Sequence, residues 1–121
     1  MDLVLSLHGR LAIVLVLYFS AVGLWGLFLG VRGIGPTPGL RGAFVIAEIA
    51  AVAQGLVGVL LFAFLRPPRD SLHVLYGFAL VFAMPLAASI ARDRQPRGQS
   101  VALGLASLFT AGLAIRGITT A

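Results

Sequence analysis

An all-α fold is predicted: an integral membrane bundle of four helices running antiparallel, up-down-up-down. Three observations predict it. Hydrophobic residues make up 60% of the 121 and charged residues only 11%, whereas soluble domains carry about a quarter charged. Four apolar blocks each reach the ~20 residues that a helix needs to cross hydrocarbon. Short clusters of Gly, Pro and Arg separate the blocks, and short links make neighbouring helices antiparallel.

The first helix is expected over about residues 3–31, since 11–31 contains no Asp, Glu, Lys or Arg. Its start, Met1-Asp2-Leu3, lacks the basic lead of a secretion signal. Arg32 and a Gly/Pro loop follow where a small-residue cleavage site would stand, so the segment reads as retained. Gly33, Gly35, Pro36, Pro38 and Gly39 then break the chain before a second helix over 41–65, which holds one acid, Glu48, and one amide, Gln54. Two polar residues in a block of about 24 do not prevent insertion. After Pro67 and Pro68 a third helix is expected over 71–91, with Asp70 as its cap. Arg92, Asp93, Arg94, Pro96 and Gly98 precede a fourth over 99–117. The chain is read as a single domain over 1–121.

Composition also removes function classes. With no cysteine, disulfides, thiolate metal sites, iron–sulfur clusters and thioether-linked haem are excluded. Nine basic residues, all arginine, outweigh four acids for a net charge of +5. They lie scattered between apolar blocks, as membrane flanks do, and nucleic acid is therefore discarded as a partner. The bilayer is the expected partner, with a larger membrane complex or a homo-oligomer beside it. One face of the bundle carries Arg32, Arg41, Arg92, Arg94 and Arg97, and the face with both termini carries Arg10, Arg66, Arg69 and Arg116. That excess puts the termini outside a bacterial or archaeal cell membrane. Small residues recur at helical spacing (Gly26 and Gly30; Ala47, Ala51 and Gly55; Ala102 and Ala106), and these are read as packing faces.

Few polar side chains lack an explanation in solvation: His8, Glu48, Gln54 and His73. His8 stands near the start of the first helix and His73 near the start of the third, so an antiparallel bundle brings both to the same membrane face. Imidazole is the usual axial ligand of a b-type haem, and a histidine pair gives six-coordinate iron suited to electron transfer. Gly77, one turn after His73, is read as clearance for the macrocycle, with Gly58 and Gly112 giving similar room on the second and fourth helices. Arg10, Arg66, Arg69 and Arg116 on the same face are read as propionate contacts. The bland alternative is a pair of interfacial histidines bonded to water, headgroups or backbone.

Reading on from the second helix gives Gln54-Gly55-Leu56-Val57-Gly58-Val59-Leu60-Leu61, then Arg66-Pro67-Pro68, then Ser71-Leu72-His73-Val74-Leu75. This resembles one four-helix half of the haem A synthase family, in which a Gln/Gly helix leads through a proline-containing outer loop into a helix that opens with a haem-liganding histidine. Leu7-His8-Gly9-Arg10 is similar to that family's earlier liganding helix. The resemblance covers the first three helices and implies haem b held by His8 and His73. The chain departs from the family in two respects. It supplies one four-helix half where those enzymes have two, and residues 3–7 lack the acid that precedes their first histidine. Haem hydroxylation is therefore not implied, and the chain reads as a non-catalytic electron-transfer or accessory subunit.

Glu48 lies about two turns inside the second helix and supports a rival reading, proton-coupled export, in which a cationic substrate competes with a proton for a deep carboxyl. Small multidrug transporters carry their essential acid in the first helix, and residues 3–31 contain none. The structural alternative pairs Glu48 with Arg32, Arg92 or a neighbouring hydroxyl. A third class, an accessory subunit without cofactor, makes no demand on the histidines.

Overall fold

The computed structural model describes residues 2–64 and 71–120. They form α1 (Asp2–Val31), α2 (Pro38–Phe64), α3 (Leu72–Ala91) and α4 (Pro96–Thr120), with no strand among the described residues. Each helix is long and apolar enough to cross a membrane. Two of them begin earlier than expected, and for one reason. Pro38 and Pro96 open α2 and α4 instead of ending a loop, because the first helical position needs no N–H and proline presets its φ. Thr37 caps α2, its Oγ1 accepting from the Leu40 amide at 3.1 Å. α4 also runs past Arg116 to Thr120, since a charge near the membrane face does not stop helical hydrogen bonding. The expected cap Asp70 lies outside the described residues.

The turn after α1 is set by one glycine. Gly33 has φ +74°, the Gly33 amide bonds the Gly30 carbonyl at 3.0 Å, and the Ile34 amide bonds the Leu29 carbonyl at 2.8 Å. That is a Schellman end, which places the residue after the cap in the left-handed region that glycine tolerates.

α1 packs on α2 and α4, and α3 packs on the same two helices, so α1 and α3 face each other across one diagonal of the bundle. The α1–α4 interface is the most extensive and the α2–α3 interface the slightest. Helix backbones meet at the first. A Cβ on Gly104 would lie 2.8 Å from the Gly23 carbonyl oxygen and 2.8 Å from the Leu27 amide, and one on Gly26 would lie 3.1 Å from Gly104 Cα. Ser107 Oγ donates to the Phe19 carbonyl at 2.7 Å and Ser100 Oγ to the Ile34 carbonyl at 2.7 Å, hydroxyl contacts that lipid cannot replace. Gly26 and Gly30 thus do meet α4. On α4, however, the contact stripe is Ser100, Gly104, Ser107 and Ala111, while Ala102 and Ala106 are only partly buried. Several small-residue registers coexist on that helix, and one of them faces α1.

On α2 the buried positions Leu40, Phe44, Ala47, Ala51, Gln54 and Leu61 follow steps of four and three, one seam turned inward. Tyr18 ties α1 to it, its hydroxyl donating to the Ala43 carbonyl at 3.0 Å. Outward positions are large and apolar, among them Leu17, Phe28, Ile49, Leu56, Phe78 and Phe109. Lipid accepts that surface at no cost, whereas water would charge ~25 cal/mol for each Å² of it.

Candidate functional site

His8 sits on the second turn of α1 and His73 on the first turn of α3, the two diagonal helices. Both side chains are half-buried. Their ring centroids are 6.1 Å apart with the planes crossed at 69°. The pair expected to share a membrane face is therefore brought together.

His73 is fixed by α4. Its Nδ1 lies 2.8 Å from the Gly117 carbonyl oxygen and 3.3 Å from Thr120 Oγ1. A carbonyl only accepts, so Nδ1 carries the proton and Nε2 keeps a free lone pair. Thr120 Oγ1 itself donates to the Arg116 carbonyl at 2.8 Å, which leaves its oxygen free to accept. Neither Gly117 nor Thr120 was legible as a site residue.

His8 is held by α2. Its Cε1 rests on Gly58, where an added Cβ would stand 3.4 Å away. Gly58 thus gives room to the His8 imidazole itself. One turn earlier, Gln54 is 7% exposed and its Nε2 donates to the His8 backbone carbonyl at 2.9 Å. Two buried polar atoms remain without a hydrogen bond in this contact, His8 Nδ1 and Gln54 Oε1. All four helices contribute to the site.

Two neighbouring imidazoles are a donor set whose spacing can be set against that of two rings on one metal. A nitrogen binding a metal at ~2.0 Å stands about 1.1 Å from its ring centre, so two rings gripping one metal from opposite sides have centres roughly 6.2 Å apart. The observed centroid distance of 6.1 Å is close to that, with the two rings meeting edge to face at 69°. Among the described residues no third His, Cys, Asp or Glu joins them to form a metal-binding group. Two protein ligands are too few for a bare ion, whereas a tetrapyrrole brings its own four nitrogens.

The remaining expected residues are distributed as follows. Gly77 faces open space, with nothing within 4 Å of an added Cβ. Gly112 is exposed and turned away from the bundle interior. Arg10 and Arg116 are exposed, and the Arg116 guanidinium lies 5.5 Å above the Tyr76 ring. Arg66 and Arg69 lie outside the described residues. Glu48 is six residues from Gln54, about 9 Å along the helix axis, and so stands apart from the histidines. Its Oε1 is buried without a hydrogen-bond partner. The pairing with Arg32 is not formed, since Arg32 lies 5.7 Å over the Phe28 ring instead.

Comparison with known protein families, curated proteins and solved structures finds no significant match.

Proposed function

We propose that this chain is a multi-pass membrane protein that holds one b-type haem between His8 and His73 and serves in electron transfer. One observation carries the reading: two imidazoles converge from diagonal helices with their ring centroids 6.1 Å apart. The resemblance to half of the haem A synthase family leads to the same two ligands, and the five arginines on the far face against four on this one favour this end and the termini outside. When bound, the group would supply a one-electron couple with no open coordination site.

The chain's own residues set the ligands. The Gly117 carbonyl holds the His73 proton on Nδ1, which turns the basic Nε2 away from α4, the outer-shell arrangement that orients metal-binding histidines. Gln54 has the matching task for His8. Its amide nitrogen already bonds the His8 carbonyl, and its oxygen and His8 Nδ1, both buried without a partner, are a complementary acceptor and donor that a small side-chain rotation would join. Gln54→Leu is expected to weaken haem retention about tenfold or more, the usual effect of losing such a partner, with Gln54→Glu restoring it. Haem titration of the apoprotein reads this, and equal retention in Gln54→Leu would remove Gln54 from the site.

The deciding experiment is the absorbance spectrum of detergent-purified protein, oxidised and reduced, with and without added haem. A Soret band and a reduced spectrum with sharp visible bands are expected. Protein that stays colourless after haem addition overturns the reading.

A further inference from the structure

At the opposite end of the bundle, α2, α3 and α4 leave a cleft of about 300 Å³. Its polar end is made by Arg41 at the start of α2, Arg92 just beyond α3 and Gln99 at the start of α4. Its inner end is made by Pro85 and Leu103, respectively seven residues before Arg92 and four residues after Gln99. At 1.5 Å per residue those steps are about 10 and 6 Å of helix, so the cleft runs from a cationic mouth along the flank of the bundle, between exposed Pro85 and buried Leu103, toward the apolar middle of the spans.

The mouth is organised. Gln99 Oε1 accepts from Arg41 Nη2 at 3.1 Å, while Gln99 Nε2 donates to the Arg92 carbonyl at 3.2 Å and the Arg94 carbonyl at 3.0 Å. One amide thus ties the start of α2 to the turn after α3. Arg41 keeps its other guanidinium donors, since only one is engaged. No acid lines the cleft, so neither guanidinium meets a carboxylate there. The wall on α3 is low, formed by exposed Ala88 and Ser89, and it flanks the slightest helix interface of the bundle, between α2 and α3.

We infer that this cleft binds the phosphate of an anionic lipid, with Arg41 and Arg92 on the phosphate oxygens and the lipid's apolar part along Pro85 and Leu103. Two guanidiniums match phosphate through paired N–H donors, and basic pockets between membrane helices at a headgroup face take anionic lipids. The amphipathic run of the cleft favours a lipid phosphate over a free one. Nothing in this argument involves the histidines.

The test uses the full chain in nanodiscs of phosphatidylcholine, titrated with phosphatidylglycerol or with inorganic phosphate, and reads bound lipid by native mass spectrometry. Phosphatidylglycerol is expected to be retained about tenfold or more over phosphatidylcholine, as charge-assisted contacts to two guanidiniums predict. Arg41→Ala and Arg92→Ala each reduce that preference and the double variant removes it. Arg32→Ala, on the same face but outside the cleft, keeps it. Circular dichroism confirms that each variant stays helical, and Arg41→Lys gives a second, milder substitution that retains part of the preference. Equal retention of the two lipids by the native protein overturns the site, as does a preference that survives the double variant. Inorganic phosphate that displaces the lipid at millimolar concentration shows a free-anion site and overturns the lipid assignment.

Discussion

His8→Ala and His73→Ala, each alone, are expected to abolish the low-spin haem spectrum and to reduce haem retained through purification by more than about tenfold. In the proposed haem site each imidazole would supply one axial bond from its own helix, so either substitution would leave the iron with one protein ligand. The folded bundle survives both changes. His73→Ala gives up the bond to the Gly117 carbonyl, worth about 1 kcal/mol, and His8→Ala empties a half-buried position against Gly58. Added free imidazole is expected to restore part of the low-spin spectrum in both variants, by occupying the vacated side. Spectra unchanged by either substitution would remove that residue from the metal, and loss of helicity by circular dichroism would mark a structural role instead.

Gly104→Ala is expected to destabilise the protein by about 2–3 kcal/mol, at the upper end of what overpacking costs. Gly104→Leu is expected to leave no stable bundle. The atoms that a new methyl meets at 2.8 Å are the Gly23 carbonyl oxygen and the Leu27 amide, backbone groups with no rotamer to adopt. α1 and α4 must part, which stretches the Ser107 bond to the Phe19 carbonyl and opens the contact at Gly26. Gly112→Ala on the same helix is the control. Nothing lies within 4 Å of its added Cβ, and replacing an exposed helical glycine gains up to about 1 kcal/mol. Unfolding in mixed detergent reads the difference, and equal stability of the two variants would sink the close-packing account.

The four spans were legible because lipid demands an unbroken apolar block for each, and the blocks of this chain are bounded by arginine and proline. Pro38 and Pro96 were misread because the same residue ends one helix and starts another, and only the backbone distinguishes the two. The packing stripe was half legible. Gly26 and Gly30 stood out on α1, but Ala102 and Ala106 mark a different register of α4 from the one that meets α1, with Ala106 packed against the core, and Gly104 is one glycine among 15. At the site, counting residues placed His8 and His73 at one membrane face, while their approach to 6.1 Å depends on which helices stand diagonally, which periodicity does not encode. Gly117 serves through a carbonyl that every residue possesses, so no side-chain signature announced it. Gln54 was noted as polar, and its bond to the His8 carbonyl again involves a partner atom invisible in sequence.

The closest of the four helix contacts joins the first and last helices in chain order, and biosynthesis delivers those two furthest apart in time. A nascent chain emerges from its N-terminal end, so α1 must wait in the bilayer, its stripe of Gly23, Gly26 and Gly30 open to acyl chains, until α4 arrives to cover it. Two hairpins cannot mature independently under that arrangement. Closure waits on α4, and a chain cut short before it leaves the groove of Gly23, Gly26 and Gly30 without its match.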